Sequence, residues 1–311
     1  MPIKIPDRLP AAKLLKQEQI FLMPETRAAG QDIRPLRIAL LNLMPNKQAT
    51  EEQFLRLIGN TPLQVEVTLL YTESRVPKHT SWEYLTEFYT SFEEIKDKRY
   101  DGLIVTGAPV ERLPFEEVTY WAELTKIFDW AKNRVNSSIF ICWGAQAALY
   151  HYYGVPKYPL PRKMFGVFAQ RKLAPNEILL RGFDDVFFIP QSRHTEIRVE
   201  DIEKRADLAI LAASDDSGAG ILASRDRSLI FVTGHMEYDP DTLKTEYFRD
   251  LENGLTIDLP RNYFVSDDDP SGDVTVKWRA HSHLLFANWL NYCVYQTTPY
   301  DVNKIGEIRA Q

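Results

Sequence analysis

The chain has 311 residues, 44% hydrophobic and 26% charged, with 37 Lys and Arg against 43 Asp and Glu for a net charge of −6. That profile is globular rather than disordered, and its acidic balance argues against general nucleic-acid binding, which needs a basic face, while leaving room for a local basic pocket for a phosphorylated cofactor. Two cysteines, Cys142 and Cys293, stand outside any CxxC spacing, which excludes a zinc ribbon, a thioredoxin motif and a disulfide framework and makes the reducing cytoplasm the expected setting. No apolar run reaches the ~18 residues of a membrane span.

Residues 1–31 mix charges and prolines with apolar residues, unlike a secretory leader. Pro2, Pro6, Pro10 and Pro24 break any long helix, so 1–34 reads as an extended N-terminal arm. Residues 37–43 form a buried-strand run, and 50–58 a helix in which Thr50 and Gln53 resemble a capping box. Strands are expected at 63–71 and 102–106. A helix at 116–133 carries Trp121, Leu124, Ile127, Phe128 and Ala131 on one face. A strand at 138–142 and a helix at 145–153 follow. The second half is more mixed, with strands at 167–173, 185–189, 209–213, 220–223 and 229–233 and helices at 242–251 and 281–295. The acidic patch with Asp267, Asp268 and Asp269 reads as a mobile surface loop. Strands alternating with helices predict an α/β fold, a mostly parallel sheet covered on both faces. With no internal linker, 35–298 reads as one catalytic domain and 299–311 as a C-terminal tail.

Cys142 is the sharpest chemical feature. It ends a strand and precedes a helix, with Gly144 in the turn, as in a nucleophile elbow with Cys in place of Ser. The positive end of the helix favours thiolate over thiol. The alternative is a buried structural cysteine. Further on, Gly234-His235-Met236-Glu237 follows a strand. In extended backbone, residues two apart share a side, so Glu237 can orient His235 while the other ring nitrogen faces the thiol. The loop Thr106-Gly107-Ala108-Pro109-Val110 ends another strand. Pro109 has no N–H, so Val110 is the expected oxyanion donor, with the Trp143 amide as the second; a plain turn is the alternative. His281 and His283 have no carboxylate or cysteine nearby in sequence and read as a helix start rather than a metal site. Cys293 lies in an apolar helix and reads as core. From the residues alone, the chain is a Cys-His-Glu enzyme of acyl transfer or hydrolysis.

Cys-x-Gly at the elbow, His-x-Glu later and the Gly/Pro loop before them resemble the class I glutamine amidotransferase fold, a flavodoxin-like architecture. Leu41-Asn-Leu-Met-Pro-Asn-Lys47, the segment from Arg56 to Glu66, Cys142-Trp-Gly-Ala-Gln146 and Gly234-His-Met-Glu-Tyr238 resemble homoserine O-acyltransferases of the MetA type, the first enzymes of the methionine branch. The likeness runs from about Arg37 to Tyr295. It implies a homodimer that needs no cofactor and moves an acyl group from acyl-CoA to L-homoserine. It also implies substrate contacts at Lys163, Ser192 and Arg249, with Ser192 and Glu111 setting acyl-CoA specificity. A guanidinium at Arg249 suits an amino-acid carboxylate. Glu246, on the same helical face, suits the ammonium, with a surface ion pair to Arg249 as the alternative. Lys163, after Pro159 and Pro161, reads as a loop residue. In the family, glutamate at the position of Glu111 goes with acetyl and glycine with succinyl; a charge there repels the distal carboxylate of a succinyl group. The expected donor is therefore acetyl-CoA. The alternatives are a succinyl-CoA-using enzyme, a glutamine amidotransferase-type cysteine hydrolase, or a non-catalytic scaffold on the same fold.

Overall fold

A computed structural model of the chain describes residues 3–5, 8–17, 22–24, 34–74, 80–266, 269–299 and 301–306. Pro2, Pro6 and residues 25–33 of the arm, Asp267 and Asp268 of the acidic patch, and Tyr300 and residues 307–311 of the tail lie outside them. In chain order the strands are β1 (Ile3–Ile5), β2 (Leu22–Pro24), β3 (Leu36–Leu41), β4 (Val65–Leu70), β5 (Tyr89–Thr90), β6 (Tyr100–Val105), β7 (Val135–Ile141), β8 (Tyr158–Lys172), β9 (Val186–Glu196), β10 (Leu208–Ser214), β11 (Gly218–Ser224) and β12 (Leu229–Val232). They form one sheet in the order β2-β1-β4-β3-β6-β7-β12-β11-β10-β8-β9, with β5 against β4.

Pairing is parallel from β2 to β12 and antiparallel from β12 to β9. Parallel strands need crossovers, and helices supply them. Alternation along β3 splits the core. Ile38 and Leu40 face a cluster with Phe54 and Ile58 of α2 (Lys47–Gly59) and, from the C-terminal helix, Leu285 and Phe286. Ala39 and Leu41 face the opposite cluster with Leu124, Ile127 and Phe128. These belong to α5 (Trp121–Arg134), following α3 (Trp82–Phe88) and α4 (Phe92–Ile95) in the chain; a short 3₁₀ turn, Phe115–Glu117, replaces the expected start at 116. The same side holds α6 (Trp143–Tyr153). The remaining helices are α7 (Val199–Glu203), α8 (Thr242–Glu252) and α9 (Arg279–Asn288), the last continuing as a π-helix, Trp289–Tyr295, that holds the buried Cys293.

Three expectations need correction. The lead-in is more than an extended arm. Its β1 and β2 widen the sheet beside β4, and between them α1 (Ala11–Gln17) buries Ala11 and Leu15. Pro10 stands just before that helix, where a missing N–H costs nothing. The capping box at Thr50 is absent, because α2 starts earlier. Asn46 caps it by accepting from the Ala49 N–H at 3.3 Å, and the Thr50 hydroxyl donates to Asn46 O at 3.0 Å. Lys163 lies within β8 rather than in a loop. The pairing of β8 with β9 breaks register between Pro159 and Met164, since the two prolines have no N–H to give the ladder.

Candidate active site

The elbow follows from three backbone features. Cys142 has φ 50° and ψ −115°, a left-handed conformation strained for a residue with a Cβ. Its N–H donates to Val232 O at 2.7 Å and its carbonyl accepts from the Gln146 N–H at 3.1 Å, which ties the turn to β12 and to α6. At Gly144 a Cβ would lie 2.6 Å from Thr106 O, so only glycine lets α6 start this close to β6. The side chain of Cys142 is buried at the N-terminal end of an eleven-residue helix.

His235 and Glu237 meet Cys142 from the next strand. Strand β12 ends at Val232, so the two residues sit in the turn after it rather than in extended backbone. The contact forms all the same, with His235 Nδ1 2.6 Å from Glu237 Oε1 and both side chains buried. With a carboxylate as acceptor, Nδ1 carries the proton, and the ring and Cys142 border the same space beside Gly107. Burial works to lower the basicity of this imidazole. The negative charges of Cys142 and Glu237 outweigh it and hold the imidazole well above its ordinary range. Gly234 makes the approach to β9 feasible. A Cβ there would meet Pro190 O at 2.5 Å, and the His235 N–H donates to that same carbonyl at 2.8 Å. Tyr238 stacks on the imidazole with centroids 4.1 Å apart. Burial first, then the carboxylates of Glu246 and Glu237, keep its phenol protonated.

The oxyanion loop differs from expectation. The Val110 N–H donates to Ala108 O at 2.9 Å, a tight turn across three residues, so it is occupied as the loop stands. The Trp143 amide is at the start of α6, where helix N–H groups have no intrahelical acceptor. Gly107 is closer to the chemistry than either residue's number suggested. A Cβ on it would lie 3.3 Å from His235 Cε1 and 3.4 Å from Cys142 Cβ, so glycine keeps open the space over the thiol.

A second cluster gathers the expected substrate contacts. Lys163 Nζ donates to Glu246 Oε1 at 2.7 Å and to Asp250 Oδ2 at 3.0 Å. The Ser192 hydroxyl donates to Glu246 Oε1 at 2.7 Å. Arg249 donates to Asp250 Oδ1 through Nη2 at 2.7 Å and stands 3.5 Å from Glu246. Asp250 was not singled out from sequence. Burial opposes its ionisation, but the Arg249 and Lys163 hydrogen bonds prevail and hold its carboxyl below the usual range. The signal available was its place four residues after Glu246, on the same helical face. Tyr238 connects the two groups. Its phenol feels the charges of Glu246, Glu237, Cys142 and Glu111, and β9 supplies both the Pro190 carbonyl under His235 and Ser192. Glu111 is half-buried, and its backbone is pinned by Lys157, whose Nζ donates to Glu111 O at 2.7 Å and Leu113 O at 2.6 Å. Lys157 too went unnoticed in the sequence; burial pushes it down to about 8. Away from the site, His281 Nε2 is 3.2 Å from Asp184, and burial pushes the Cys293 thiol up to about 12.

Comparison with known proteins shows the family to which the chain belongs. The family model for homoserine O-succinyltransferase matches residues 2–300. Homoserine O-acetyltransferase of Acetivibrio thermocellus is 59% identical over 305 residues, covering 98% of this chain and 100% of the relative. The protein of the same name from Brevibacillus brevis is 60% identical, covering 97% and 99%, and that from Bacteroides thetaiotaomicron 56%, covering 98% and 100%. Among solved structures, a glutamine amidotransferase from Thermotoga maritima superposes with a TM-score of 0.54 at 14% identity, over 85% of this chain and 100% of the other. A glutamine amido transferase from Methylobacillus flagellatus gives 0.52 at 13%, over 83% and 95%. At such identities the structures establish the fold alone, a class I glutamine amidotransferase-like α/β sheet.

Proposed function

The chain belongs to the homoserine O-succinyltransferase family, and from that premise we propose that it acetylates the hydroxyl of L-homoserine from acetyl-CoA by way of an acyl-cysteine. The observation that carries the mechanism is that Cys142 and His235 are buried around one point, a Cβ on Gly107 lying 3.4 Å from Cys142 Cβ and 3.3 Å from His235 Cε1, with Glu237 2.6 Å from His235. The choice of acetyl over succinyl rests on the full-length acetyltransferase relatives and on Glu111, whose charge opposes a succinyl carboxylate.

The Cys142 thiolate attacks the thioester carbonyl, and the oxyanion is met by the Trp143 amide at the helix end. Val110 joins it once its turn to Ala108 opens. The C–S bond to CoA breaks and CoA leaves as the thiol, taking the proton of the His235 imidazolium. Cys142 is left as an acetyl thioester. Homoserine's hydroxyl then attacks that carbonyl while neutral His235 Nε2 takes its proton. The second tetrahedral intermediate collapses to O-acetylhomoserine and the thiolate. Glu237 keeps the proton on Nδ1 and stabilises the imidazolium. Lys163, Arg249, Glu246 and Asp250 together present two positive and two negative charges, which suits a zwitterion. Arg249 takes the carboxylate, Glu246 the ammonium, and Lys163 and Ser192 hold Glu246 in place.

No helix among the described residues is long and apolar enough to cross a membrane. The family resemblance adds a homodimer working in the cytoplasm. The test is mass spectrometry of the denatured protein after mixing with acetyl-CoA alone. An acetyl group on the Cys142 peptide is expected, together with parallel double-reciprocal plots once homoserine is varied. An unmodified Cys142 and intersecting lines would mean direct transfer within a ternary complex.

A further inference from the structure

Arg193 is a charge that the acyl-transfer scheme leaves unused. It lies on β9, 3% exposed, next to Ser192. Alternation along the strand sends Ser192 to the Glu246 cluster and Arg193 to the other side. The guanidinium donates through Nε to Gln191 Oε1 at 3.0 Å, through Nη1 to Thr195 O at 2.7 Å and through Nη2 to Ser217 O at 2.7 Å. All three acceptors are neutral. Among the described residues no carboxylate forms an ion pair with it. An uncompensated buried charge is costly, and proteins retain one where an anion answers it.

The hydrogen bonds lead to the nucleophile. Thr195 O, which accepts from Arg193, also accepts from Gln146 Nε2 at 3.1 Å, and the Thr195 hydroxyl donates to Gln146 Oε1 at 2.7 Å. The Gln146 N–H in turn donates to Cys142 O. Burial weakens the hold of Arg193 on its proton, and the groups that strengthen it are Cys142 first and Glu196 second. The charged and titratable groups on the elements packed at the elbow are His235, Glu237 and Tyr238, joined in the turn after β12, and Arg193 on β9, whose acceptor Gln191 packs against that turn, its Nε2 2.6 Å from where a Cβ on Gly234 would lie.

We infer that Arg193 is a positioning residue for the nucleophile, a buried cation held by neutral groups whose field keeps Cys142 in the thiolate form. The inference rests on Cys142 being the nucleophile. The experiment is the pH dependence of Cys142 alkylation by iodoacetamide in the full-length protein, read on the isolated peptide, with buried Cys293 as the unreactive control. Arg193→Met should move the midpoint up by about one pH unit, so that alkylation on the acidic limb slows about tenfold. Arg193→Lys, which keeps the charge, should stay within about half a unit of wild type. Thr195→Val cuts the hydroxyl tie to Gln146 and leaves the cation, so it should lower the melting temperature without moving the midpoint. A wild-type midpoint in Arg193→Met, or an equal displacement in Thr195→Val, overturns the inference. Should Arg193→Met not fold, Arg193→Lys decides, a displacement of about a full unit refuting the role of charge. Failure of Cys142 to be alkylated in the wild type would instead refute the nucleophile itself.

Discussion

Glu237→Gln removes a charge and almost nothing else, and its cost can be worked from the site. The carboxylate is 2.6 Å from His235 Nδ1, and both side chains are 5% exposed. A hydrogen bond to a charged group at such a site contributes ~1.5–3 kcal/mol, roughly ten- to a hundredfold in rate if the imidazolium alone is affected. Tautomerism adds to this. The new amide can donate to Nδ1, which moves the ring proton to Nε2, the atom that must accept from homoserine. The combined loss in kcat should be on the order of a thousandfold. Rapid-quench single turnovers would show it in both halves of the reaction, as slow CoA release and slow acetyl transfer to homoserine. Stability provides an independent check. His235 titrates above its ordinary value in the folded protein, so the proton it holds there stabilises the fold. That contribution is whole below the unfolded value near 6.5 and is lost as pH rises through the folded value. Glu237→Gln shrinks it, so the deficit in unfolding free energy should be larger at about pH 6 than at about pH 9. A variant within about threefold of wild-type kcat, with a pH-independent deficit, would refute the assignment of Glu237 as the group that orients His235.

Arg249→Ala should raise the homoserine KM roughly ten- to a hundredfold and leave the acetyl-CoA KM nearly unchanged; steady-state kinetics in both substrates checks this, and equal effects would move Arg249 out of the amino-acid pocket. Asp250→Asn should act in the same direction, about tenfold, because it frees Arg249 and Lys163 from their shared acceptor. Glu111→Gly should admit succinyl-CoA. Two like charges ~4 Å apart at an effective dielectric near 20 cost about 4 kcal/mol, and competition between the two donors at equal concentration measures how much of that is released. Cys293→Ala should retain most activity where Cys142→Ala loses it, and the reverse pattern in folded proteins would reassign the nucleophile.

The parts of the site legible in the sequence were those whose chemistry is local. Cys142 and Gly144 announce an elbow because the turn itself needs glycine, which the 2.6 Å approach to Thr106 O explains. His235 and Glu237 are two apart, and the turn after β12 brings them together even though the strand ends before them. Asp250 and Lys157 were not legible because each acquires its meaning from a partner far along the chain, and Arg193 was not because its burial among neutral acceptors shows only in the fold. Asp250 meets Lys163 across 87 positions, and Lys157 meets Glu111 across 46. Those partnerships depend on the antiparallel half of the sheet, where β8 and β9 lie side by side and carry Lys163, Ser192 and Arg193. The parallel half alone supplies Cys142, the oxyanion loop and, just after β12, the histidine and glutamate. The likeness to solved glutamine amidotransferases is one of fold. In the proposed reaction the acceptor is held between that antiparallel extension, which carries Lys163 and Ser192, and α8, which carries Glu246 and Arg249. Substitutions at Lys163 should change which acceptor is used while leaving acetylation of Cys142 by acetyl-CoA intact, a separation that the two halves of a ping-pong reaction make directly measurable.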